Sequence, residues 1–355
     1  IALFYDQIQN YPEAYPLFSQ ALHIYQNQIT HNFLWLSEKQ REQYYETIGN
    51  NFQHYHSFTQ KAHQLIPQTL SDEYNYQLFT KGLQLATAQQ MRSRIAESGD
   101  TALLVDYENW LGQRRFLGKL YEKTIAQRES MGIDIDSLED AANRSEAALA
   151  RRSEVFAQAT DTTRYSWQDV QQKLKANEAA VEIARFNWFH KDWTDTVYYA
   201  LMVVTPQTKE HPDVIWLKNG NDLENKHFKA YSGAMQRGEN DFDSYLQFWK
   251  PLDSLLQGAN KVYLSLDGIY HKLNLETLIT PDGKYLGDVK ELQLLGSTKD
   301  LVKTRSAPTT LLNALLLGNP AYSADSTQLA IEAKQFKSPN AITDAYLPDY
   351  TRNAT

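Results

Sequence analysis

Several histidines and aspartates are the residues whose positions in this 355-residue chain raise acid–base or metal chemistry, and the sequence contains no cysteine. That composition excludes disulfides, cysteine-bound zinc and a thiol nucleophile within the chain. His271 is the most suggestive position. It follows Asp267-Gly268, directly after an apolar run from Lys261 to Leu266 that reads as a strand, and strand C-terminal ends are where sites gather in α/β sheets. No nucleophile stands near it in sequence, so it reads as a loop histidine without a catalytic role. His54 and His56 are two residues apart. On a helix that spacing points them about 200° apart, so they cannot chelate one metal together. His63 adds little, and all three read as solvated or seam residues. Asp241, Asp243, Asp253 and Asp267 raise the question of carboxylate catalysis, but their spacing matches helix caps and turn starts. No G-x-S-x-G elbow, P-loop or G-x-G-x-x-G fingerprint occurs. Asn143-Arg-Ser145 and Asn353-Ala-Thr355 fit the glycosylation pattern but read as chance matches, the first in mid-helix. The residues therefore assign no catalytic, cofactor-binding or metal-binding position, and no cofactor.

The elements that would position any site divide the chain in two. The length suggests about two or three domains, and 42% hydrophobic with 22% charged residues is a globular composition that can offset ordering entropy. A net charge of −8 with interspersed signs argues against nucleic acid, which needs clustered cations. No apolar run of membrane-spanning length occurs, and Ile1 to Gln9 lacks the character of a signal peptide. The expected location is the cytoplasm. The chain reads as starting inside a helix of something longer.

Two short helices are expected over residues 1–30, with Ala14, Phe18, Ala21 and Leu22 on one face and Pro16 near the first turn. A longer helix covers 33–66, opened by a Ser37/Gln40 capping box and ended by Pro67. Ser71 or Asp72 should cap the next helix, which carries Gly82 in its middle. Ser98-Gly99-Asp100 marks a stop and restart, and the next helix runs to Arg128. Residues 136–158 carry a short seam of Leu138, Ala142, Ser145, Leu149, Arg152 and Phe156, read as a helical hairpin packed on its neighbours. After a helix at 166–174 come strands at 179–186, 198–205 and 213–218. Helices at 222–236 and 241–257 follow, then strands at 261–266, 292–295 and 311–317. The whole implies a helical region followed by an α/β sheet covered on both sides, with more strands needed than the sequence shows.

Three stretches together resemble one family. Residues 1–27 look like the closing repeat of a tetratricopeptide array, with Tyr11, Ala14, Phe18 and Ala21 in the motif positions. Residues 261–302 resemble the first conserved block of CHAT domains, which are caspase-like modules associated with such repeats. The matching residues are Asp267-Gly268, Leu275-Glu276-Thr277-Leu278, Tyr285-Leu286 and Ser297, with Asn274 where proline is usual. Ala314 to Pro320 resembles the next CHAT strand and its Gly-Asn-Pro loop. The resemblance implies the end of a repeat array over 1–30, a long helical linker region over 31–160, and over 161–355 the first half of a caspase-like three-layer α/β domain. It implies a protein or peptide partner on the repeats and, for a complete protein, a cysteine peptidase acting on a protein substrate. The family's catalytic His and Cys would lie downstream, and neither can be carried onto this chain. The alternative is a non-enzymatic scaffold with a degenerate CHAT module. An incomplete sheet would leave a strand edge open and invite association.

Overall fold

The computed structural model describes residues 1–33, 36–155 and 164–303, which fall in one compact unit. Helix α1 (Ala2–Gln7) packs on α2 (Tyr11–Asn32), and α2 lays Phe18 onto Phe58 of α3 (Glu38–Ala62), with ring centroids 4.6 Å apart. Ala14, Phe18 and Leu22 are buried, as their helical spacing requires. Pro16 lies inside α2 rather than in its first turn, so the Pro12 carbonyl loses its intrahelical donor. The Ser37/Gln40 capping box forms in both directions.

Helix α4 (Gln68–Thr80) starts directly after Pro67, one turn earlier than expected. Ser71 and Asp72 are therefore not caps. Ser71 accepts from the Trp167 indole N–H at 3.1 Å, and Asp72 accepts from the Tyr15 hydroxyl at 2.9 Å. Gly82 does not sit inside a helix either. Its φ of +68° separates α4 from α5 (Leu83–Glu97), a conformation that glycine adopts without a Cβ penalty. The break at Ser98-Gly99 and the Asp100 cap are as expected, with Asp100 accepting from the Ala102 and Leu103 N–H groups at 2.9 and 3.0 Å.

Helix α6 (Thr101–Tyr121) ends before Arg128, and a Thr124/Gln127 capping box opens a separate α7 (Ile125–Ser130). Helix α8 (Ile135–Val155) folds back on α6, burying Leu149 and Ala150 with Met91, Ile95 and Leu103. Arg152 is exposed and pairs with Asp106 and Asp100, whereas Glu146, Ala147 and Ser153 are buried. The buried face is thus broader than the expected seam. The Arg41 guanidinium donates to Glu146 at 3.0 Å and ties α3 to α8.

After the short α9 (Trp167–Gln171), β1 (Glu178–His190) and β2 (Asp192–Val204) form one long antiparallel hairpin turning at Lys191, whose φ is +68°. Both strands outrun their expected bounds because the extension packs on α3. His54 stacks on Trp193 with centroids 4.5 Å apart, and the Phe189 N–H donates to the Ser57 hydroxyl at 2.9 Å. Strand β3 (Asp213–Leu217) pairs antiparallel with β2. A turn at Gly220–Asp222 and a π-type turn at Leu223–His227 lead into α10 (Phe228–Arg237). Helix α11 (Asp243–Phe248) stops well short of residue 257, because Pro251 cannot continue the ladder. Strand β4 (Lys261–Ser265), a short α12 (Leu286–Val289) and β5 (Glu291–Leu295) complete the described fold.

The sheet order is β3-β2-β1-β4-β5, with β4 parallel to both β1 and β5. One sheet face carries Val181, Ile183, Tyr199, Leu201, Val262 and Leu264, buried beneath Leu223, Tyr231, Phe248, Trp249 and Tyr270. The other carries Ala180, Ala184, Phe186, Ala200 and Met202 against Tyr74 and Leu78 of α4 and Trp167 and Val170 of α9. One cover of the sheet therefore comes from the helical region that precedes it by a hundred residues. Phe156, the strand expected at 311–317, the Gly318-Asn319-Pro320 loop and Asn353 lie outside the described residues.

Candidate functional site

Strands β4 and β5 run parallel, so their C-terminal ends share one edge of the sheet, the side where a crossover sheet leaves room for a ligand. A cleft of about 340 Å³ opens there. Leu266, Asp267 and His271 after β4, and Leu295 at the end of β5 with Gly296 after it, form its floor. Tyr45 and Gln53 of α3, and Gln77, Thr80 and Lys81 at the end of α4, form its wall. Asp267 and His271, singled out in the sequence, meet here. Asp241, Asp243, Asp253, His54, His56 and His63 do not line this cleft.

The loop after β4 is held rigidly. The Asp267 carboxylate accepts from the backbone N–H of Arg185 and of Gly268, each at 2.8 Å. Gly268 has φ +53°, and a methyl group there would lie 2.4 Å from the Tyr199 hydroxyl. No other residue fits that turn. The Tyr199 hydroxyl accepts from the Ile269 N–H at 2.9 Å and donates to Glu224 at 2.7 Å. The Arg185 guanidinium grips both oxygens of Glu224 at 2.6 and 3.2 Å, the fork geometry that fixes orientation as well as charge. Those bonds to Glu224 raise the arginine pKa further.

Beneath the wall lies a buried charged cluster. Glu182 of β1 is fully buried and points from the α4 face of the sheet. One carboxylate oxygen accepts from the Ser297 hydroxyl at 2.9 Å, the Thr298 N–H at 2.5 Å and the Thr298 hydroxyl at 2.8 Å. Lys81 donates to the other at 3.2 Å, and to the Ile183 and Ser265 carbonyls at 3.0 Å each. The Thr298 proton is used by the carboxylate, so the Tyr74 hydroxyl, 2.8 Å away, is the donor to Thr298. Lys299 closes the end of α4 by donating to the Leu78 and Lys81 carbonyls at 2.6 Å each. Burial brings the Lys299 ammonium down to about 8, with Lys303 adding to the shift.

This accounting limits the chemistry. All three Lys81 donors and both Asp267 oxygens are engaged within the fold. The Thr80 hydroxyl donates to the Tyr76 carbonyl at 2.9 Å, and burial raises the Tyr45 phenol pKa. His271 is exposed on the Gly268–Lys272 turn and makes no hydrogen bond among the described residues. Among the described residues the cleft thus offers one available imidazole and no activated nucleophile. Among the described residues no group of three or more His, Asp or Glu could hold a metal ion, and no helix is long and apolar enough to cross a membrane.

Sequence reasoning missed Glu182, Lys81 and Lys299. A signal was present: Glu182 and Arg185 interrupt an otherwise apolar strand from Ala179 to Phe186, and a charge in a buried strand demands a partner. Comparisons with protein-family models, with curated proteins and with solved structures found no match.

Proposed function

We propose that this chain is the N-terminal and central part of a repeat–CHAT protein whose complete form is a partner-regulated, caspase-like cysteine peptidase acting on a protein substrate. The observation that carries this reading is one continuous run of local structure. Strand β4 leads through Leu266 into Asp267-Gly268, turns follow at Gly268–Lys272 and Leu275–Thr277, Tyr285 opens α12, β5 lies parallel beside β4, and Ser297 caps the next turn. That is the order of features in the block that residues 261–302 resemble. The strand ends then face a cleft where a His and a Cys supplied from further along the protein would work. The His would take the thiol proton. The thiolate would attack the scissile carbonyl carbon while backbone N–H groups hold the oxyanion; the C–N bond would break as the His gives its proton to the leaving amine, and a water deprotonated by the His would then split the thioester and free the thiol. The helices preceding the sheet would bind a protein or peptide partner, in the cytoplasm.

A specific observation favours the scaffold as second reading: the charged groups of the cleft, Lys81 and Asp267, are committed to holding the fold. One experiment separates the two. The full-length protein is treated with a thiol-directed activity probe, with and without its partner. Labelling that depends on the partner and disappears on replacing a single Cys supports the peptidase. A full-length sequence with no Cys and His at downstream strand ends, or no labelling in either state, leaves the scaffold.

A further inference from the structure

We infer that α6 pairs with α6 of a second copy of this chain, antiparallel, about a two-fold axis between Leu111 and Gly112. Leu103, Leu117 and Leu120 turn inward and are buried. The outward side is unusually apolar for a solvated helix: Val105 is 59% exposed, Phe116 47% and Leu104 37%. Along that side Leu104, Glu108, Leu111, Arg115 and Gly118 step four, three, four, three, which is the spacing of a helix–helix seam. A methyl group added at Gly112 or at Gly118 would meet no atom within 4 Å. Glycine is a poor helix former, and nothing among the described residues requires it at these two positions. Close approach of another backbone does.

The charges identify the occupant. Glu108 and Arg115 are exposed and make no hydrogen bond or ion pair among the described residues. Of the other charged residues on the helix, Asp106 pairs with Arg152 and Arg114 with Glu38, while Lys119 is exposed, makes no ion pair among the described residues and would face the other copy's Leu104. Antiparallel pairing about residues 111 and 112 sets each Glu108 against the other copy's Arg115. It also sets Val105 against Gly118 and Leu111 against Gly112. Such an interface is isologous, one patch matching itself, and paired charges in a seam fix direction and register. A single 21-residue helix offers less than a standard interface, so the dimer is in the micromolar range.

The test is sedentation-based: analytical ultracentrifugation of the full chain across the micromolar range, with circular dichroism to confirm folding of each variant. The native chain should show a reversible monomer–dimer equilibrium. E108R and R115E should each weaken it by at least about tenfold, because like charges then face each other. The double variant E108R/R115E should restore it, since the swapped pair is self-complementary again. G112L should give a monomer that melts no lower than the native chain, since leucine is the better helix former. A native chain that stays monomeric, single variants that dimerise normally, or a double variant that stays monomeric would each overturn the inference. So would a dimer that survives G112L but is lost on L294K, at the β5 edge.

Discussion

Lys81 at the end of α4 and Glu182 in the middle of β1 form an ion pair at 3.2 Å, with side chains 14% and 0% exposed. It joins two elements a hundred residues apart in sequence. Removing one member of a buried pair costs about 3–5 kcal/mol, because the other charge is left uncompensated. K81M should therefore lower stability by about that amount in urea unfolding. E182Q keeps an acceptor for Ser297 and Thr298 but leaves the Lys81 ammonium uncompensated, and should cost a similar amount. The double variant K81M/E182Q should recover part of the loss. A K81M variant as stable as the native chain would show that the pair contributes nothing.

The Asp267-Gly268 turn predicts a contrast between two glycines. Gly82 and Gly268 both have positive φ, +68° and +53°, but only Gly268 has a neighbour, the Tyr199 hydroxyl, within 2.4 Å of an added methyl. G82A should cost about 1–2 kcal/mol from backbone strain alone. G268A adds overpacking of about 1–3 kcal/mol and should cost visibly more. Equal losses in thermal melts would remove the steric argument.

His54 and His56 should titrate in opposite directions. Burial, with Lys61 nearby, pushes His54 down to about 4. Burial also opposes charge on His56, but the Glu73 carboxylate beside it wins and the pKa is raised. A depressed histidine contributes stability above its ordinary value of about 6.5, lost as pH falls through its folded value. A raised one contributes below about 6.5, lost as pH rises through its folded value. H54F should flatten the acid limb of the stability profile, between about 4 and 6.5. H56Q should flatten the limb above it. Urea midpoints measured across pH check both, and unchanged limbs would contradict the assignment.

Strand β5 is an end strand of the described sheet, and Leu294 on it is 62% exposed. A lysine there should suppress edge-to-edge association. L294K is expected to reduce concentration-dependent light scattering while leaving melting within about 0.5 kcal/mol of the native chain.

Local chemistry was legible where one residue decides the geometry. Ser37, Asp100 and the Ala179–Phe186 run announced a cap, a restart and a strand, and the structure has all three. Gly82 was misplaced because mid-helix and left-handed glycine look alike in sequence. Helical patterning runs from 241 to 257 in the sequence, but Pro251 cannot continue the backbone ladder and the helix ends at Phe248. The cleft wall was not legible at all. Gln77 and Lys81 reach it only because α4 packs across β1, a contact with no local signature. The spacing that made His271 interesting did bring it to the cleft floor, but nothing in its neighbourhood revealed that Asp267 is consumed by two backbone N–H groups.

Synthesis order gives the Lys299 contact a further meaning. Lys299 follows Lys81 by 218 residues, so at about 5–20 residues per second the ribosome reaches it roughly 10–40 s after α4 is made. Until then the nascent α4 has open carbonyls at Leu78 and Lys81, although Tyr74 and Leu78 gain a surface to cover once β1 and β2 are made. The helical part cannot finish folding ahead of the sheet. Chaperones that protect apolar helices on the nascent chain should engage α4 until β1 and β2 have emerged, and the end of α4 is fixed only when the turn after β5 follows.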